Sequence, residues 1–213
     1  MDVKYFDGIV PPHIDKTIQK FCQKLNYNKK PIYIDVKPIS NSKPSNCFIN
    51  VKNIINEKGG SQVNGWAIWL HPYSMIEAEA HSIYKDIDGY LIDVTPHKNN
   101  LSKILFLPDE RIKYKGIQIN NIRQNISKSH LIDECIKYWD EIFILMNKSE
   151  NKYKHGEIIL SGKDAERIND LNDFIQVNLI NFYSNLKLKP NDICICGSGK
   201  KYIDCCKHKI CRE

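Results

Sequence analysis

Four of the chain's eight cysteines stand in two close pairs near its end, Cys194-Ile195-Cys196 and Cys205-Cys206, with eight residues between the pairs. A soft tetrahedral cation such as Zn²⁺ takes four thiolate or imidazole ligands, and two short pairs on one turn can supply them. Gly197-Ser198-Gly199 between the pairs would let the backbone make the tight reversal that joins them. The other chemistry open to four such thiols is a pair of disulfides. Cys22, Cys47 and Cys135 are scattered singly, which suits reduced thiols. The sequence therefore favours a Zn²⁺ site on Cys194, Cys196, Cys205 and Cys206.

A second constellation lies between Pro44 and Pro96. Phe48, Val51, Ile54 and Ile55 follow helical spacing, Ser45 or Asn46 can cap the helix, and Gly59-Gly60 can end it. Cys47 thus falls in the first helical turn. There the unpaired N–H groups and the positive end of the dipole favour a thiolate and can stabilise an oxyanion. Strand-like runs follow at Gln62 to Leu70, Ile76 to Tyr84 and Tyr90 to Pro96, and Asp88-Gly89 marks a hairpin between the last two. With the turn centred near Ile87, His81 and Asp93 are expected side by side across that hairpin. A cysteine at a helix start, facing a histidine that an aspartate orients, makes a thiol nucleophile with its base. His71 and His97 are competing bases, Glu79 shares the His81 face and could position a substrate amine or water, and Asn46 is a candidate oxyanion donor. Each residue taken alone is more ordinarily structural, a free cysteine being commonly core.

Two resemblances bear on these sites. Cys194-Ile195-Cys196-Gly197-Ser198-Gly199-Lys200-Lys201-Tyr202, with Cys205-Cys206, resembles the SEC-C motif, a small zinc-binding module; Ile195 stands where that family usually has proline. The resemblance implies a contact with a protein or the ribosome, and it admits His208 or Cys211 in place of Cys206. The order Cys47, His81, Asp93, with the stretch from His81 to Pro96, is similar to the transglutaminase-like (papain-related) superfamily. Ile83 stands where that superfamily usually has tryptophan, and Asp93-Val94-Thr95-Pro96 reorders its Asp-Pro-Thr. This second resemblance implies Cys47 as nucleophile, His81 as base and Asp93 as the residue that orients His81. The segment Asn46 to Val51 is also similar to the nucleophile segment of amidohydrolases that deamidate N-terminal glutamine.

The elements that must position these residues can be sketched from patterning. The 213 residues are 42% apolar and 26% charged, which suits one ordinary globular domain with an appendage. Residues 1–126 alternate short apolar runs with turns, which reads as mixed α/β, and the second resemblance implies a transglutaminase-like α+β domain there with an antiparallel sheet and a nucleophile helix. Residues 127–186 are expected to form a helical hairpin packed on it. One stripe runs through Ile132, Ile136, Trp139, Ile142, Phe143 and Met146. The other starts near Ser161, which with Asp164 makes a capping-box pattern, and runs from Ala165 to Leu186. Residues 187–213 are expected to be the zinc module.

From Lys187 to Glu213, seven Lys/Arg face three Asp/Glu, so the tail holds +4 of the chain's +6. That asymmetry suits docking on an acidic protein or on a nucleic-acid backbone, and the SEC-C resemblance implies a protein or the ribosome. The mild overall balance makes nucleic acid an unlikely main partner. Met1 to Asp7 has neither a basic nor an apolar leader region, and no run approaches the ~18 apolar residues of a membrane span, so a cytoplasmic protein is expected. Two functions compete. One is a thiol-dependent hydrolase or acyl-transfer enzyme acting on an amide of a protein or peptide. The other is a non-catalytic adaptor that binds through the zinc module.

Overall fold

A computed structural model describes residues 8–97, 100–154, 158–196, 198 and 200–207. Helix α1 (Lys16–Leu25) starts where the Asp15 carboxylate accepts the Thr17 and Ile18 N–H groups at 2.8 and 2.9 Å. Its Ile18, Phe21 and Cys22, spaced i, i+3, i+4, are the buried residues of the helix. Strand β1 (Ile32–Val36) leads to helix α2 (Cys47–Lys58), and then come β2 (Ser61–His71), β3 (Met75–Lys85), β4 (Leu91–Asp93), β5 (Lys103–Pro108) and β6 (Ile122–Asn125).

Strands β2 and β3 pair without interruption from Ser61 opposite Lys85 to His71 opposite Met75. Strand β5 takes the other edge of β2, β1 takes the other edge of β5, and β4 runs parallel to β1 and antiparallel to the far end of β3. Five strands therefore close on themselves in the order β2-β5-β1-β4-β3. The sheet is α+β in setting but not wholly antiparallel, because a crossover through α2, β2 and β3 separates β1 from its parallel neighbour β4. Strand β6 pairs with Met75 to Ala78 at the other end of β3. Glu79 to Ile83 lie between the two stretches of β3 that pair with β6 and β4.

Side chains alternate across this wall as a two-residue period requires. Ile34, Ala67, Ile83, Ile104 and Phe106, with Val36, Val63, Trp69 and Leu91, draw on all five closed strands and form the inner cluster. Trp66, Ile68, Ile76, Ala78, Leu105 and Leu107 face outward against Ile18, Phe21 and Cys22 of α1. Val51 and Ile54 of α2 pack on Tyr84 and Val94.

Two details differ from the sequence expectation, each for a local reason. The β3–β4 register pairs Tyr84 with Ile92 and Lys85 with Leu91, two residues later than the partners a turn centred on Ile87 would give. Asp86 Oδ1 accepts both Asp88 N–H and Tyr90 N–H, and Gly89 takes φ 91°, so the connection is the wider loop Asp86 to Tyr90. His81 and Asp93 are consequently diagonal neighbours on one face and not directly opposite. The strand expected over Tyr90 to Pro96 stops at Asp93, because Asp93 Oδ1 turns back to accept Thr95 N–H at 2.9 Å.

Helices α3 (His130–Met146) and α4 (Gly162–Ser184) pack together through Ile132, Cys135, Ile175, Leu179, Phe182 and Tyr183. Ser161 stands at the N-cap of α4, but its side chain makes no capping bond. The hairpin docks on the short β2–β3 turn, where Tyr183 Oη lies 2.9 Å from Ser74 Oγ and donates to Pro72 O.

Two tests follow from this packing. Gly65 faces His81 in the β2–β3 register, and a Cβ there would collide with Leu107 O and the edge of the Phe106 ring. Gly65→Ala should cost roughly 1–3 kcal/mol in chemical denaturation, the usual cost of overpacking. The second concerns Glu77. Its burial would raise its pKa, but His71, Arg123 and Asn121 together bring it down to about 2 from 4.5. A folded-state value below the unfolded one stabilises above pH 4.5 and is lost as pH falls towards 2. Glu77→Gln should remove up to roughly 3 kcal/mol of this pH-dependent stability, flattening the acid limb of a denaturation series.

Candidate functional site

Cys47 is the first residue of α2, and Asn46 is its N-cap. The Asn46 side chain makes no cap bond, and its Oδ1 is buried without a hydrogen-bond partner. Asn50, one turn on, is buried and ties the helix down. Its amide donates to Thr95 Oγ1 at 3.2 Å and Lys43 O at 2.8 Å, and its Oδ1 accepts from Lys43 N–H. The helix start is thereby fixed against the exit of β4. The Cys47 sulfur lies 4.0 Å from Ala80 O, in the stretch of β3 between its β6 and β4 pairings.

The neighbouring residue on β3 is His81, whose Nε2 donates to Asp93 Oδ2 at 3.0 Å. The Cys47 sulfur lies close enough to the same imidazole for its charge to act on it, and with Nε2 engaged by Asp93 the nitrogen left to serve the sulfur is Nδ1. Burial alone would lower the His81 pKa. The negative charges of Cys47 and Asp93 outweigh it and hold the ring well above the ordinary histidine range. Asp93 has no exposed surface; burial would raise its pKa, but His81 and His97 hold it well below the usual carboxylate range.

The structure thus brings Cys47, His81 and Asp93 together, with His81 bonded to Asp93 and the Cys47 sulfur beside the β3 residue next to His81. Cys47 is 8% exposed and His81 2%. Tyr114 stacks on Phe48 at 4.1 Å, and burial together with the charge of Cys47 raises its hydroxyl pKa. His71 is elsewhere, bonded to Glu77 at 3.0 Å. Glu79 accepts from the Trp69 indole at 2.8 Å. The sequence weighed His97 only as a rival base, whereas its Nε2 is 2.6 Å from the same Asp93 Oδ2 that His81 uses. The four-residue spacing from Asp93 to His97 was the available signal, but it falls past a strand end, where no period predicts which side chains meet.

The second centre is the tail. Ile193 bridges Lys201, Cys194 N–H donates to Lys200 O and Tyr202 N–H donates to Asp192 O, so both cysteine pairs are carried on one tight turn. Gly197 and Gly199, expected to make the reversal, lie outside the described residues, as do His208 and Cys211. The sulfurs of Cys194, Cys196, Cys205 and Cys206 all lie within 4.8 Å of one another, and the described cysteines are free thiols. A tetrahedral zinc with bonds of about 2.3 Å would set its sulfurs about 3.8 Å apart. The 3.3 Å between Cys196 and Cys205 and the 3.9 Å between Cys205 and Cys206 fit such a cation.

Burial and its neighbouring thiols push the Cys206 thiol up. At Cys196, burial is outweighed by the Ser198 hydroxyl and adjacent groups, and the thiol falls to about 6. Four thiols so placed cannot all ionise without a cation among them.

Zinc content read by elemental analysis should be one equivalent per chain and should fall towards zero in Cys205→Ser. The same change should lower the melting temperature by about 4 °C or more, the scale of roughly 1–2 kcal/mol for a chain this long.

No solved structure matches this chain. Residues 191–207 match the SEC-C motif, and the four closely placed cysteines there are compatible with zinc.

Proposed function

We propose that the barrel and α2 form a thiol-dependent amide hydrolase or acyl-transfer site for a protein or peptide, transglutaminase-like in its order of residues, with the SEC-C segment as the docking module. One observation carries this reading: Cys47 at a helix start lies against β3 at Ala80, next to a His81 that is bonded to Asp93 of the neighbouring strand. In the proposed reaction the Cys47 sulfur attacks an amide carbonyl and forms a C–S bond. His81 Nδ1 takes the thiol proton and gives it to the leaving amine as the C–N bond breaks. Water then attacks the thioester, His81 accepts its proton and returns it to sulfur, and a carboxylic acid leaves. An amine in place of water gives transamidation. Asp93 holds the ring with Nδ1 towards sulfur and balances the imidazolium.

A second reading, a non-catalytic adaptor, is favoured by the near-complete burial of Cys47 and His81 and by the basic tail. Incubation with a peptide library, followed by mass spectrometry, separates the two. Cleavage or a shift of about one dalton is expected with the native protein. Cys47→Ala should lose it by at least about a thousandfold, the scale on which nucleophile removal acts. An unchanged library, or equal turnover by Cys47→Ala, would leave the adaptor.

A further inference from the structure

The Asp93 carboxylate is gripped at both oxygens. Oδ1 accepts Thr95 N–H at 2.9 Å, while Oδ2 accepts from His81 at 3.0 Å and from His97 at 2.6 Å. A carboxylate on a two-fold, soft χ2 torsion rotates unless its oxygens are held, so a second donor on Oδ2 restricts the lone pair that faces His81. His97 is itself held. Its ring meets the edge of Trp69 at a centroid distance of 5.7 Å, and the Trp69 indole is bonded to Glu79. Its side chain is only 13% exposed, and its ring lies 5.7 Å from that of His81.

We propose that His97 is a positioning residue of the thiol site: it clamps the Asp93 oxygen that His81 uses and thereby fixes the ring that faces Cys47. This rests on the reading of Cys47 and His81 given above. The groups facing His97 are Asp93 at the end of β4, His81 on β3 and Trp69 on β2 with its partner Glu79. Beyond His81 stand Cys47 of α2 and Tyr114 of the loop between β5 and β6.

Alkylation of Cys47 needs no knowledge of the substrate. The full-length protein is treated with iodoacetamide across pH 5–9, and the modified Cys47 peptide is quantified by mass spectrometry, with melting temperature and zinc content measured alongside. His97→Phe removes the donor, His97→Gln restores one at similar reach, and His81→Gln reports on the parent reading. The expected result is alkylation slowed about tenfold in His97→Phe, the scale of one lost charge-assisted bond, with a displaced pH midpoint and recovery of most of the rate in His97→Gln. Should His97→Phe fail to fold, His97→Asn, too short to reach Asp93, takes its place.

A wild-type profile in His97→Phe, with a lost one in His81→Gln, would overturn the clamp and keep the thiol site. Profiles unchanged in both would overturn clamp and site together. A second zinc per chain that survives Cys205→Ser but vanishes in His97→Phe would also overturn the clamp, since the three side chains would then be holding a cation.

Discussion

A carboxylate with no exposed surface costs several kcal/mol unless its charge is met on all sides, and Asp93 is such a group. Its backbone pairs with Val36 across the parallel joint that closes the barrel, and its carbonyl accepts Lys37 N–H at 2.8 Å. Its side chain gathers His81, His97 and Thr95 N–H. One residue therefore joins β1, β3, β4 and the loop that leaves β4. The joint closes around a charge, and the charge is tolerable only because the joint delivers three donors to it. Strand order, histidine orientation and the abrupt end of β4 are aspects of that single requirement.

The helix start at Cys47 and the runs of β2 and β3 are legible in the sequence because each is written locally, as a 3.6- or 2-residue apolar period bounded by turn residues. The cysteine pairs are legible because ligand spacing on one turn is a short-range property. Closure of the barrel is not: Gly65 to Ile68 pair with residues some forty positions away on β5, and no local pattern selects that partner. The insertion of β5 between β1 and β2 likewise follows from burying Phe106 and Ile104 with Ile34 and Ala67, a packing decision made in three dimensions. The displaced β3–β4 register came from the Asp86 side chain competing with the ladder for backbone donors. Because the period of a strand is two, the shift kept His81 and Asp93 on one face, and so the pairing survived an error in its geometry.

The helical region shows the same division. Leu171, Ile175, Leu179 and Phe182 are buried as their spacing indicates, whereas Phe174, in the same run, is 51% exposed and rests on Tyr138. In α3 the buried residues are Ile132 and Cys135, while Trp139 lies under the Arg123 guanidinium at the rim. An apolar stripe indicates that a helix has a buried side; the width of that side depends on what packs there.

The β2–β3 turn carries more than one load. Tyr73 sits in it at φ 67° and donates its hydroxyl to Ile193 O at 2.8 Å, Ser74 meets Tyr183 of α4, and Ile195 between the first two tail cysteines is buried in the α3–α4 cluster. The cysteine-rich segment is thus seated on the same hairpin whose return strand, six residues and about 20 Å later, presents His81. A docking module on a slack tether samples every bearing and adds only local concentration. One bolted to the strand that bears the imidazole sets a distance and a direction, so under the proposed function the protein would choose its substrate bond by how far it lies from the docked epitope. Selection by reach, more than by the identity of the flanking residues, is the mode of recognition that this seat imposes.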